Sequence, residues 1–260
     1  MNHIHGVFPF GLPVTNVEQS DRKPKKVFVL GVYASAVHAR WSGPDEKTIV
    51  QALAVASEPR IFWEGNCDEA KEIIRRIEIP SSVGKLEPAD SRFNGPSALA
   101  LDDQILKPLC LSRADAWLCD LVPHSCMNPS QKKAIDDHYV PIAKRYKLPT
   151  PSVPCVPTKL ADDERRREIM AEIRQSKANI LITLGDQPLK WFVRCGGKHR
   201  LAEWQYGCLS PVAIDNLTLT LLPLAHPRQI AKLGRSSPEW FEKHARWEEH
   251  TAPSIKVSAG

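Results

Sequence analysis

Four stretches of the chain are dense in apolar and β-branched residues and short enough to be strands. They are Lys26–Val32 (KVFVLGV), Ala114–Val122 (ADAWLCDLV), Ala178–Gly185 (ANILITLG) and Leu217–Leu224 (LTLTLLPL). Runs of this kind belong to strands buried on both faces. Gln51–Ser57 reads as a further extended segment. Helical signals fall between these runs. Asn66–Ile77 has a polar start and then Ile73, Ile74 and Ile77 at helical spacing. Asp102–Leu109 fits a short helix. Asp162–Ser176 is the clearest helix, with acidic residues in its first turn that complement the helix dipole. Asp186-Gln187-Pro188 opens another, with proline where a first turn tolerates it, and Glu239–His250 is the last. Tyr33–Trp41 reads as the loop beyond the first strand. Residues 78–97, with Pro80, Pro88, Gly95 and Pro96, read as a long surface loop, and Pro149–Pro157 as an extended connector.

Strands alternating with helices imply one mainly parallel sheet covered on both faces. The expected fold is α/β, a three-layer α/β/α arrangement around a central four-stranded sheet. Residues 1–25, polar and proline-rich apart from Val7-Phe8-Pro9-Phe10, form an arm lying on a single domain of residues 26–250. Residues 251–260 form a tail.

Composition narrows the class without naming a function. Hydrophobic residues at 42% and charged residues at 25% are ordinary for a soluble globular chain. A net charge of +5 suits a polyanionic partner but does not require one. The run Arg165-Arg166-Arg167 fits a solvated helix face. Seven cysteines, an odd number with no C-x-x-C pair, argue against a structural zinc site or a disulfide framework and for reduced thiols. Met1–His5 lacks the features of a signal peptide. No apolar run reaches the roughly 18 residues of a membrane span. The expected location is cytoplasmic, with no membrane association.

Candidate chemistry gathers where strands end, because ligands of parallel α/β sheets bind at the carboxyl ends of the strands. Three such ends stand out: Gly31-Val32-Tyr33-Ala34-Ser35, Asp120-Leu121-Val122-Pro123, and His226-Pro227 followed by Arg228, Lys232 and Arg235. His226 by itself also fits a plain cap at the end of a strand.

These three strand ends, in this order, resemble the uracil-DNA glycosylase superfamily over residues 25–250. In that family the first strand ends in a Gly-x-(Asp/Asn/Ala)-Pro loop, a later strand ends in a base-reading Asn, and the last runs into a His-Pro-Ser-type loop. Ile180–Pro188 is similar to the family's third strand and its helix. The resemblance implies that a base is flipped out of the stack and read by its hydrogen-bonding edge. It also implies that His226 faces the leaving base, with Pro227 beside it. Arg228, Lys232 and Arg235 would then lie near phosphate, Asp120 in the base-reading position, and Tyr33 in the water-activating one. Gly31, Val32, Ala34 and Ser35 would line the pocket.

Two positions depart from the pattern. Tyr33 is neither carboxylate nor amide, and Ala34 replaces proline; a tyrosine with a pKa of roughly 10 is no ordinary base near neutrality. Asp45 and Glu46 are the nearest acids downstream. An ionised Asp120 only accepts hydrogen bonds, which suits an edge with two donors better than uracil; a buried structural role is the alternative. His38, Arg40 and His124 are further candidates for the pocket or for phosphate contact. Trp41 and Trp63 either stack on a base or pack in the core. With Cys67 the first cysteine and no close pair after it, no iron–sulfur cluster is expected. The resulting expectation is a hydrolase without metal or cofactor, favoured as a monomer, that acts on a base in DNA other than plain uracil. Two alternatives stay open: a non-cleaving nucleic-acid- or nucleotide-binding protein on the same fold, and a hydrolase of small-molecule N-glycosides.

Overall fold

The computed structural model describes residues 3–193, 200–202, 205–233 and 237–257. Among them the strands are β1 (Ile4–Val7), β2 (Pro13–Thr15), β3 (Val27–Tyr33), β4 (Ala36–Ser42), β5 (Thr48–Ser57), β6 (Lys85–Pro88), β7 (Ala116–Val122), β8 (Ile180–Leu184), β9 (Ser210–Ile214) and β10 (Leu217–Leu224). The α-helices are α1 (Cys67–Arg75), α2 (Pro96–Leu101), α3 (Pro129–Ala134), α4 (Val140–Tyr146), α5 (Asp163–Ser176), α6 (Asp186–Pro188), α7 (Pro227–Ile230) and α8 (Ser237–His250). The chain is mixed α/β.

Where the sequence suggests one body over 26–250, contacts group the chain into two compact units that interleave in sequence. The first comprises Met1–Val17, Tyr33–Pro96 and Pro123–Thr158; the second comprises Glu18–Val32, Ser97–Val122 and Lys159–Gly260. Because the chain passes between them several times, no linker or shift of composition marks the division.

The second unit is built on a five-stranded, mostly parallel sheet in the order β7-β3-β8-β10-β9. Ile180 of β8 lies opposite both Val27 of β3 and Thr220 of β10, and all three strands run the same way. At the start of β7, Asp115 accepts from Lys26 N–H at 2.8 Å. At its end, the Asp120 carboxyl accepts from Val32 N–H. Start meets start and end meets end, so β7 is parallel to β3. The four apolar runs are therefore these four strands, and every residue of β7 and β8 is buried. Helix α5 covers one side of β7: Trp117 Nε1 donates to Glu172 at 2.8 Å, and Arg165 reaches the carbonyls of Asp120 and Leu121. Its N-terminus is capped by the Asp162 side chain, which accepts from Arg165 N–H.

The fifth strand, β9, is an antiparallel edge joined to β10 by a two-residue turn, with Asp215 at φ 52°. Sequence pattern misses it because Ser210–Ile214 buries only Val212 and Ile214. Residues 251–260, expected as a tail, begin with a 3-10 turn at Ala252–Ser254 whose first residue is buried.

The first unit holds an antiparallel sheet in the order β5-β4-β6 and the hairpin β1-β2. Two expectations change here. The loop expected over Tyr33–Trp41 is mostly strand β4, and the loop expected over 78–97 contains β6, an edge strand that pairs with β4 and ends at Pro88. The expected arm of residues 1–25 is divided: its part up to Val17 packs into this unit and Glu18 onward belongs to the second. Phe8 is fully buried, and Phe10 packs edge-on against Trp41 and Tyr139 at 5.5 and 4.9 Å between ring centres. The Tyr139 hydroxyl accepts from Phe10 N–H at 2.8 Å and donates to the Pro149 carbonyl at 2.9 Å.

Tyr139→Phe would keep the ring packing and leave a buried N–H and a carbonyl unpaired. It is expected to destabilise the protein by about 1–3 kcal/mol, read as a lower urea midpoint with an unchanged m-value.

Candidate functional site at the carboxyl ends of the parallel strands

In the second unit the chain lays down β3, then β7 on one side of it, then β8 on the other. The reversal puts a topological switch point at the carboxyl end of β3, where parallel α/β sheets take their ligands. The register sets Leu30 opposite Thr183, and Leu184 opposite Leu224. Gly185-Asp186 and Ala225-His226 therefore leave the sheet at the edge where β3 ends, and the Asp120 carboxyl on Val32 N–H completes the row. Gly185 sits next to His226. Its φ of +84° is left-handed, its N–H donates to Leu224 O at 2.7 Å, and a Cβ there would lie 3.4 Å from His226 Cβ.

His226 caps α7, with Pro227 buried in the first turn. Its Nδ1 accepts from Arg228 N–H at 3.2 Å, and Gln229 Oε1 accepts from its backbone N–H at 3.3 Å. With Nδ1 the acceptor, the ring proton resides on Nε2. Burial first, and the nearby Arg228 charge second, push the imidazole down to about 4. The ring is neutral at physiological pH and presents an Nε2–H donor. The residue before it is held from behind: Ala225 N–H donates to the Tyr206 oxygen. Tyr206 in turn meets His244 Nδ1 at 2.5 Å, and His244 Nε2 meets the Gln104 carbonyl at 2.6 Å.

Asp120 is only 4% exposed. Burial raises its carboxyl to about 7, against the opposing pull of Arg165 and of the Val32 hydrogen bond. Of the two readings open from sequence, an ionised base reader or a buried structural residue, burial is observed, and it makes Asp120 a carboxyl that changes form near neutrality. Its side chain lies on the opposite face of β7 from Trp117 and Cys119, whose side chains meet Glu172 of α5.

The second unit thus places Val32, Asp120, His226 and Pro227 toward one edge of the sheet, with Gly31 one residue before Val32 in β3 and two strands separating β7 from β10. Arg228 is exposed beside them, and Lys232 is exposed with its Nζ 3.8 Å from the centre of the Phe241 ring. The segment expected as a loop begins with the short helix α7, and Arg235 lies outside the described residues. Leu233, 39% exposed beside Lys232, goes unnoticed in a sequence reading that looks only for cations.

The remaining candidates belong to the first unit. Tyr33 is exposed and Ala34 buried, and the Ser35 carbonyl accepts from the Ser125 hydroxyl. His38 and Arg40 lie on β4 rather than in a loop. The His38 backbone is bracketed by the Asn94 amide (2.8 and 3.0 Å), and Arg40 pairs with Glu87 at 2.7 Å. His124 stacks on His5 with ring centres 3.9 Å apart, and burial lowers its pKa. Asp45 and Glu46 occupy the exposed turn between β4 and β5, where Asp45 pairs with Lys47 at 3.3 Å and Glu46 has φ 63°. Trp41 and Trp63 are fully buried and donate to Val83 O and Glu69; they pack rather than stack on a ligand. Among the described residues no group of three or more His, Cys, Asp or Glu is arranged to hold a metal ion. No helix among them is long and apolar enough to cross a membrane.

No protein-family model and no curated protein matches this chain.

Two titrations follow from the site. The folded state holds the Asp120 proton up to about pH 7, whereas an unfolded Asp releases it near its ordinary value of 3.8. The folded chain binds more protons between these limits, so this group's stabilising contribution falls as pH rises through that window and levels off above it. Asp120→Asn removes this slope. Its stability relative to wild type should rise from pH 4 to 7 by up to about 1.4 kcal/mol per pH unit, measured by urea unfolding at each pH. The His226 shift has the opposite sign: its contribution is present above 6.5 and is lost as pH falls through about 4. Nitrogen-15 NMR of the imidazole should show the neutral Nε2–H form down to pH 5.

Proposed function

We propose that the second unit cleaves the N-glycosidic bond of a base in DNA, on a fold of the uracil-DNA glycosylase type. The observation that carries this reading is His226. It is a neutral imidazole whose Nδ1 is occupied by Arg228 N–H, so that Nε2–H is the free donor of a ring at the same edge of the sheet as the switch point. Breaking the bond between C1′ and the base leaves negative charge on the base. A preorganised donor is worth most where charge develops in a site sheltered from water. A charged imidazolium is not required, and the burial of His226 disfavours one.

Asp120 supports base reading. Below about pH 7 its protonated carboxyl offers a donor and an acceptor, the complement of a uracil-like imide edge. Above that pH it only accepts, the complement of an edge with two donors. Arg228 and Lys232 supply cations for phosphate, and the exposed Leu233 supplies an apolar side chain of the kind that wedges between base steps.

The feature that favours a non-cleaving binder is the first loop, where Tyr33 and Ala34 bring no acid. The two readings separate in one experiment. Base release is measured from single- and double-stranded oligonucleotides carrying uracil, hypoxanthine, xanthine or oxidised guanine. His226→Ala should lower the rate about 10²–10³-fold, and Asp120→Asn should shift preference toward uracil and flatten the pH dependence near 7. Absence of release from every substrate, with salt-sensitive DNA binding retained, would leave the non-cleaving binder. Weak binding with little salt dependence would point to small-molecule N-glycosides instead.

A further inference from the structure

Glycosidic hydrolysis needs a group that holds and deprotonates the attacking water, and the first loop offers none: it carries Tyr33-Ala34-Ser35. The nearest acids downstream, Asp45 and Glu46, sit at the tip of a hairpin. The second unit itself carries an acid at the strand edge. Asp186 directly follows Gly185, the residue that backs onto His226, so it leaves β8 between the end of β3 and the end of β10. Its Oδ1 accepts from Leu201 N–H at 2.6 Å, which fixes the carboxylate while the residue stays exposed. Among the described residues no cation pairs with it.

We propose that Asp186 is the water-holding carboxylate of this site, standing in for the acid missing from the first loop. The inference rests on the glycosidic-cleavage reading and names a residue that reading does not use. In the step, the water oxygen bonds to C1′ as the C1′–N bond breaks, and the bonding pair leaves with the base. The base anion is held by His226 Nε2–H. One water proton passes to Asp186 Oδ2 and then through solvent to the base, leaving free base and a sugar with a C1′ hydroxyl. Asp186 also faces the positive charge that builds on the sugar, which a carboxylate on that side stabilises.

The test uses the full chain and two duplexes, one with a cationic pyrrolidine abasic analogue and one with its neutral tetrahydrofuran counterpart. Wild type should prefer the pyrrolidine by ~10-fold or more. Asp186→Asn keeps the oxygen that accepts from Leu201 N–H and so preserves the loop. It should bind the tetrahydrofuran duplex as wild type does and lose the preference. On any substrate that wild type cleaves, Asp186→Asn should lower kcat by ~10²-fold or more with KM little changed. A preference retained in Asp186→Asn, or absent from wild type, overturns the role of Asp186. Failure of the parent reading looks different: neither abasic duplex binds better than intact DNA, and no base is released.

Discussion

The parallel pairing of β3, β8 and β10 is the constraint on which the site depends. A shift of register by one residue would turn Leu30, Thr183 and Leu224 to the wrong faces and separate the three exits from the sheet. The pairing continues one step past the last strand residue, where Gly185 N–H donates to Leu224 O. Only a residue without Cβ takes that φ freely, and the turn it makes sets the end of β8 next to His226. The carboxyl-edge row of Val32, Asp120, Asp186 and His226 is thus a product of backbone register, and the side chains are carried to it.

Desolvation then sets the chemistry of the row. It is the largest influence on both groups, in opposite directions: at Asp120 it raises the pKa against the pull of Arg165 and the Val32 hydrogen bond, and at His226 it lowers the pKa together with the Arg228 charge. Both outcomes favour the uncharged form, so these two groups offer hydrogen bonds rather than net charge. Charge is kept at the exposed positions Asp186, Arg228 and Lys232. The Tyr206–His244–Gln104 chain holds the Ala225 backbone next to His226.

The four core strands were legible because burial on both faces forces continuous apolar runs, which survive in the sequence as 27–32, 116–122, 180–184 and 217–224. Helices α1 and α5 were legible from their polar caps at Asn66 and Asp162. Strands β4, β6 and β9 were not. Glu87 and Pro88 mark a surface loop as readily as an edge strand, and β4 holds His38 and Arg40 at positions that look like loop chemistry. Asp186 escaped notice because an acid opening a helix is ordinary, and nothing local marks its neighbour as the residue that backs onto His226.

The sequence by itself determined two of the strand ends, since the apolar runs of β8 and β10 stop just before Gly185 and His226. Gly31 and Asp120 lie inside β3 and β7, which run on to Tyr33 and Val122. Only the tertiary structure decided which ends share an edge, because strand order and register depend on contacts between segments far apart in the chain. It also decided the protonation of Asp120 and His226, since burial is a property of the assembled sheet and not of the residues. The same dependence on distant contacts divided the chain into two interleaved units and assigned Tyr33, His38, Arg40 and His124 to the one that does not hold His226.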